Sequence, residues 1–203
     1  MRIAEIFTSI QGEGTNAGYP TIFVRFSGCN LRCRYCDTPS AQEGVGTEMA
    51  PLNVASEIVR AGVTHVCITG GEPLLQDHDL LTLLSILSDH DLQVSIETNG
   101  TVDFSPFQKH ATICMDVKCP SSGEKSDLSV LSHIRPEDSV KYVIGTDEDI
   151  RYAHEVMKSA PVDGTIFWSP VFGSDTTRIL SYIMEHRLMV RFQVQLHKVI
   201  GVK

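Results

Sequence analysis

Residues 64–73 read Thr-His-Val-Cys-Ile-Thr-Gly-Gly-Glu-Pro, an apolar, β-branched run that stops at two glycines and a proline. Such a run, bounded in this way, is a strand delivering its end into a turn. Behind the turn Leu80, Leu84 and Leu87 recur at helical spacing over 76–90. Strand, glycine turn and helix therefore follow directly on one another, and the order repeats along the chain. Further strands are expected at 21–26, 93–98, 111–117, 139–144, 165–168 and 190–196, and further helices at 52–61, 147–160 and 175–187. Thr146-x-x-Asp149 supplies a capping box for the third of the four helices, and Ile179, Leu180 and Ile183 give the last its apolar face. Alternation of this kind predicts βαβ units and a mainly parallel sheet. Two crossovers, 99–111 and 120–138, are too short or too broken by Ser-Ser-Gly and Arg-Pro to hold full helices. With 203 residues the chain is also too short for a complete eightfold barrel. The expected fold is α/β, a partial, open-sided (β/α) barrel, formed by one domain over 1–203.

The composition suits an enzyme acting on small molecules. Seventeen Lys and Arg against 25 Asp and Glu give a formal charge of −8, which disfavours a broad basic face for nucleic acid or anionic lipid. No stretch approaches the length of apolar sequence that spans a membrane, and Met1-Arg-Ile-Ala-Glu-Ile lacks a leader pattern. The expected location is the cytoplasm, with no nucleic-acid and no membrane partner.

Upstream of the first glycine turn, Gly28-Cys-Asn-Leu-Arg-Cys-Arg-Tyr-Cys-Asp37 sets Cys29, Cys33 and Cys36 in the spacing C-x3-C-x2-C. Thiolates this close in sequence converge from one loop, and soft sulfur selects iron–sulfur clusters, zinc or Cu(I). A [4Fe–4S] cluster or a structural zinc wants four ligands, yet no fourth Cys or His lies nearby. An iron with an open position follows, and open positions are what catalytic metals keep. The competing readings are a disulfide and a zinc knuckle completed from afar, serving binding or electron transfer. Cys67 and Cys114 sit in apolar runs and read as small core hydrophobes. Cys119 reads as a loop residue, with a fourth cluster ligand as its lesser alternative.

Cys29, Cys33 and Cys36 followed by Gly70-Gly-Glu-Pro73 resemble the paired signature of the radical S-adenosylmethionine (SAM) superfamily. That resemblance implies that SAM occupies the open iron and that one electron from the cluster yields a 5′-deoxyadenosyl radical, which abstracts hydrogen from the substrate. Five further stretches narrow the match: Ile6-Phe-Thr-Ser-Ile-Gln-Gly-Glu-Gly14, Phe23-x-Arg25-Phe26-x-Gly28-Cys29-Asn30-Leu31, Glu97-Thr-Asn-Gly100, Asp116-x-Lys118-x-Pro-Ser-Ser-Gly123 and Gln195-x-His197-Lys198. Together they closely resemble the 7-carboxy-7-deazaguanine synthase family almost end to end. The resemblance implies a radical SAM (β/α) barrel and conversion of 6-carboxy-5,6,7,8-tetrahydropterin to 7-carboxy-7-deazaguanine with loss of ammonia, SAM being regenerated. A glycyl-radical activase is the rival within the superfamily, and Gln-Gly-Glu-Gly argues against it.

The same resemblance distributes the site residues. An N-terminal segment, 1–20, and the pterin pocket would use Ile10, Gln11, Gly12, Glu13, Arg25, Thr69, His197 and the carboxylate of Lys203. Residue chemistry agrees: a pterin edge and its carboxylate call for acceptors, donors and a bidentate cation. Taken singly, Arg25 on a strand is more often ion-paired. A cluster loop, 27–40, and the strand ends would hold SAM through Tyr35, Cys36, Asp37, Thr38, Gly71, Glu72, Asn99, Lys118, Ser121, Ser122 and Gly123, with Lys141 a weaker candidate. Thr38 would also supply the protein's one ligand to Mg2+, a hard ion that commonly keeps its waters. An electron donor such as flavodoxin or ferredoxin, and a second copy of the chain in a homodimer, complete the implied partners.

Overall fold

In the computed structural model, which describes residues 1–203, the chain opens with a long strand, Arg2–Ile10 (β1), paired antiparallel with Pro20–Phe26 (β2). A short helix, Pro39–Gln42 (α1), and a two-residue strand, Thr47–Glu48 (β3), lead to helix Pro51–Arg60 (α2), which starts on a proline whose missing N–H costs nothing there. Then come His65–Gly70 (β4), Asp77–Leu87 (α3), Gln93–Thr98 (β5), Thr112–Val117 (β6) and Ser139–Ile144 (β7). Asp147–Ser159 (α4), Thr165–Pro170 (β8), Thr177–Glu185 (α5), Arg191–Phe192 (β9) and Leu196–Ile200 (α6) complete the chain. All nine strands join one open sheet in the order β3-β1-β2-β4-β5-β6-β7-β8-β9, parallel from β2 onward. The partial parallel barrel is thus as the sequence predicts, and both short crossovers hold only 3-10 turns, Ser105–Phe107 in one, Pro120–Ser122 and Leu128–His133 in the other.

The two faces of this sheet do different work. Outward-pointing Val66, Ile68, Ile96, Ile113, Met115, Val140 and Trp168 join Leu80, Leu83, Leu84 and Leu87 of α3 and Ile150, Ala153 and Val156 of α4 in one apolar core. Truncating any fully buried leucine there would cost about 2–5 kcal/mol. The alternate residues face inward, and the register sets them side by side: Phe23, Cys67 and Ser95 in one row, Glu97, Cys114 and Ser139 in another, Asp116, Lys141 and Phe167 in a third. Phe23, Cys67, Cys114 and Phe167 are buried yet lie apart from the outer core.

Two sequence expectations are corrected. The strand read at 190–196 is two residues long: past Gln193, whose N–H still donates to Trp168 O at 3.0 Å and whose side-chain amide exchanges hydrogen bonds with the backbone of Gly14 (2.7 and 3.0 Å), the chain turns into α6 at Leu196. Strand β1 lies where only a substrate-binding segment was expected. Cys119 lies, as expected, in the short loop between β6 and the Pro120–Ser122 turn, and there it is fully buried in the outer core with its Sγ 3.8 Å from the carbonyl of Val117. The capping box is present: the Thr146 hydroxyl accepts from Asp149 N at 3.2 Å, and Asp149 takes Thr146 N at 2.9 Å. Asp149 also accepts from Ser121 N at 2.8 Å, which ties the Pro120–Ser122 turn to α4.

Candidate active site at the carboxyl ends of the strands

The loop bearing the three cysteines is seated on the glycine turn after β4. Glu72 N donates to the carbonyl of Gly28 at 2.8 Å, Gly71 N to that of Phe26 at 3.0 Å, and a Cβ on Gly71 would fall 2.2 Å from Gly28 O. Only a bare backbone permits that approach, which explains Gly71 by contact. Cys29, Cys33 and Cys36 are free, half-buried thiols on one wall of a cleft of about 610 Å3. Burial pushes the Cys33 thiol up, opposed by the ammonium of Lys118. No three His, Cys, Asp or Glu side chains are grouped as the ligands of one ion. Three free thiols lining a common wall suit a cluster, whose sulfur ligands bind separate irons, better than a lone zinc.

Across the cleft the inward rows end in charge. Lys141, almost wholly buried on β7, holds Glu13 Oε2 at 2.6 Å and lies 3.2 Å from Asp116 Oδ1, while Lys118 takes Asp116 Oδ2 at 3.1 Å. Burial alone would lower Lys141, but the carboxylates of Asp116, Glu13 and Glu97 outweigh it and hold the ammonium. Burial pushes the Glu97 carboxyl up against the pull of Lys141, and the Thr69 hydroxyl donates to it at 3.2 Å. Arg25 Nε bonds Glu5 at 2.8 Å with its guanidinium 5.8 Å from the Phe7 ring, and the Lys203 ammonium reaches Glu5 from the other side.

The C-terminal turn α6 covers this floor. Leu196 N donates to Gly12 O at 3.0 Å, Lys198 pairs with Asp37 at 3.1 Å, and the Ser9 hydroxyl donates to Lys203 O at 2.8 Å. His197 lies directly over Gly12, where a Cβ would come within 1.9 Å of its Nδ1. Burial lowers the His197 imidazole toward its neutral form. For Asp37 burial acts upward, and Lys198 outweighs it, keeping the carboxyl below its ordinary range.

The family model described as the radical SAM superfamily matches residues 23–116. A 7-carboxy-7-deazaguanine synthase of Methanospirillum hungatei is 52% identical over 99% of this chain and 86% of its own length. The chain belongs to the 7-carboxy-7-deazaguanine synthase family. A synthase of the same name from Thermoplasma acidophilum is 38% identical over 98% of this chain and 97% of its own length. The crystal structure of QueE from Escherichia coli superposes with a TM-score of 0.77 at 27% identity, covering 97% of this chain and 94% of that one. As a family member the chain is a radical SAM enzyme of the lyase class, working with a [4Fe–4S] cluster and SAM.

Most of the residues expected from sequence meet at the cleft: Ile10, Gln11, Gly12, Glu13, Arg25, Thr69, His197 and Lys203, together with Cys29, Cys33, Tyr35, Cys36, Asp37, Thr38, Gly71, Asn99 and Lys118. Four do not line it. Glu72 is 0% exposed, and its carboxylate accepts from Leu74 N (3.1 Å), the Thr98 hydroxyl (2.9 Å) and Asn99 N (2.6 Å); burial pushes it up to about 6. Its side chain braces strand ends. Ser122 is buried with its hydroxyl on Cys119 O at 2.6 Å, and Gly123, at φ 79°, packs beside Arg34. Ser121 keeps a buried hydroxyl with no partner, so of the three it is the one with bonding capacity to spare. Asn99 lines the cleft but turns its amide into the cysteine loop, 3.0 Å from Asn30 Oδ1.

Sequence reasoning gave no role to Glu5, Glu97 or Asp116 and placed Lys141 with SAM, whereas Lys141 stands against Glu13. For Glu97, Asp116 and Lys141, on parallel strands, the signal was present. A charged residue inside an apolar parallel strand is buried on both faces and must be paired or used.

Proposed function

We propose that the cleft binds 6-carboxy-5,6,7,8-tetrahydropterin and that the enzyme converts it to 7-carboxy-7-deazaguanine with release of ammonia, within queuosine or deazapurine biosynthesis. The supporting observation is the ionised floor, with Glu13 and Lys141 at 2.6 Å beside Asp116 and within the same cleft as Arg25 and the three thiols. A pterin offers a guanidine-like edge that a carboxylate accepts in paired hydrogen bonds, and Glu13 with its free Oε1 suits that edge. Arg25 is the planar cation for the substrate's carboxylate; in the free enzyme Glu5 occupies it. Gln11, Thr69 and Glu97 supply neutral and acidic contacts to the ring, and Ile10, Gly12, His197 and Lys203 close the pocket.

Cys29, Cys33 and Cys36 hold the cluster, with Tyr35, Cys36, Asp37, Thr38, Gly71 and Lys118 around SAM, joined by the backbone at Glu72, Asn99 and Ser121–Gly123. When bound and reduced by one electron, this pair supplies the 5′-deoxyadenosyl radical. Thr38 is a magnesium ligand in this reading, because its hydroxyl caps no helix N–H although it begins α1, and its one hydrogen-bond partner is Cys36 Sγ at 3.9 Å. A hydroxyl left free in this way can serve a hydrated hard ion. The enzyme works in the cytoplasm as a homodimer, as one radical SAM domain, and takes its electron from a small carrier such as flavodoxin or ferredoxin. No helix is long and apolar enough to cross a membrane.

The test is anaerobic reconstitution followed by turnover with SAM, Mg2+, reductant and the tetrahydropterin, with products followed by mass spectrometry. The expected result is four irons per chain, 7-carboxy-7-deazaguanine and ammonia, and SAM recovered intact, all abolished by Cys33→Ala. Steady consumption of SAM without deazaguanine would reject the pterin reading, and full iron in Cys33→Ala would reject the cluster assignment.

A further inference from the structure

The three cysteine sulfurs are not equivalently surrounded. Cys29 Sγ receives two N–H groups, from Leu31 N at 3.4 Å and from Asn99 Nδ2 at 3.8 Å. Cys36 Sγ has only the Thr38 hydroxyl at 3.9 Å, with either atom able to donate. Asn99 is locked in the orientation that aims its amide at sulfur. Its Oδ1 accepts from Thr101 N at 3.0 Å and from the Thr101 hydroxyl at 2.6 Å, and a backbone N–H can only donate, so the other terminus must be the NH2 group. One amide hydrogen then goes to Asn30 Oδ1 at 3.0 Å and the other points to Cys29. Beneath it, the buried Glu72 carboxylate fixes the backbone of Asn99 at 2.6 Å, and Thr98 and Leu74 complete that carboxylate's bonding.

On the reading that these thiols hold the cluster, we propose that Asn99, steered by Glu72, raises the reduction potential of that cluster through its hydrogen bond to Cys29. Reduction adds negative charge that spreads onto the ligating sulfurs. An N–H directed at one of them stabilises the reduced form more than the oxidised form, and hydrogen bonds to sulfur are among the levers that set such potentials. Asn99 is accordingly a positioning residue of the electron-transfer step, and Glu72 serves it from outside the cleft. The arrangement also gives the glutamate of the glycine turn a task its burial allows, since a side chain sealed from the cleft cannot touch a ligand there.

The experiment is a redox titration of the reconstituted full chain without SAM, read by electron paramagnetic resonance, for wild type, Asn99→Leu, Glu72→Gln and Asn30→Ala. Asn99→Leu should lower the midpoint so that about tenfold less cluster is reduced at a fixed poise, equivalent to 59 mV for one electron. Glu72→Gln, which leaves Asn99 N facing a side chain with one acceptor fewer, should shift it the same way by less. Asn30→Ala removes the amide's other partner and should leave the midpoint nearly unchanged. An unshifted midpoint in Asn99→Leu with four irons retained overturns the proposal, as does loss of SAM affinity alone. If Asn99→Leu fails to hold its cluster, the titration of Glu72→Gln decides: a wild-type midpoint there rejects the proposal. A wild type that takes up no cluster fails the underlying reading instead, and iron and sulfide analysis distinguishes the two.

Discussion

Two acidic residues on neighbouring strands, both brought into the interior, end in opposite situations. Asp138, just before β7, is 1% exposed, and its carboxylate accepts from Ile113 N and Gln108 Nε2 at 2.8 Å and from Arg135 N, Nε and Nη2 at 3.0 Å. Asp116, at the other end of β6, pairs with Lys118, while its Oδ1 lies 3.2 Å from the Lys141 ammonium with no donor directed at it. The first acid is saturated and does not line the cleft. The second lines the cleft and keeps one oxygen, itself buried, without a hydrogen bond. Unmet bonding at Asp116 against full satisfaction at Asp138 separates the acid that lines the cleft from the acid that braces the fold.

Removing the cation from the cleft end is the stronger way to break that contrast. Lys141→Met leaves Glu13 and Asp116 without their shared partner, and losing one member of a buried hydrogen-bonded charge pair costs about 2–5 kcal/mol. Steady-state kinetics should show kcat/KM lower by about a hundredfold at 3 kcal/mol, with Lys141→Arg recovering part. Equal kcat/KM in Lys141→Met would place the pair outside the reaction.

At the other end, Asp138→Asn should lower the unfolding free energy by about 3 kcal/mol, since it breaks a buried pair with Arg135, and leave kcat/KM untouched. Burial alone would raise the Asp138 carboxyl, but the bonds from Arg135 and from Ile113 N outweigh it and hold it below its ordinary value of 3.8. The folded value is depressed, so its contribution is complete above 3.8 and fades as pH falls through the folded value. Denaturant melts of variant and wild type should therefore differ at neutral pH and converge in acid. A constant gap down to strong acid would show that the carboxylate's charge is irrelevant.

Thr38→Ala should give the smallest effect, a several-fold higher Mg2+ requirement with iron content unchanged, because one hydroxyl among retained waters is replaceable. A magnesium titration that superposes on wild type would remove Thr38 from the metal site.

The same contrast explains what could be read in advance. The outer face was legible: Leu80, Leu84 and Leu87, the capping box at Thr146 and the parallel strand at 64–69 obey local rules that need no partner, and the structure places each within a residue or two. The cysteine spacing was legible because one loop carries it. Strand β1 was missed because its cleft-facing Glu5 and Phe7 interrupt any clean alternation and its partners lie on β2 and β3. Helix α6 is five residues long and has no side-chain cap; the bond from Leu196 N to Gly12 O holds its start, and no local sequence signal reports such a contact. Lys141 could be placed only once the register of β6 and β7 set it opposite Asp116.

The cover over the cleft is attached differently from the outer core. Lys198 with Asp37 and Lys203 with Glu5 are partly exposed pairs, each worth about 1 kcal/mol or less and weakened by added salt, whereas the outer core has no charge to screen. Ionic strength therefore acts on this molecule as a selective solvent. Moderate salt should loosen the tail over the cleft while leaving the fold in place.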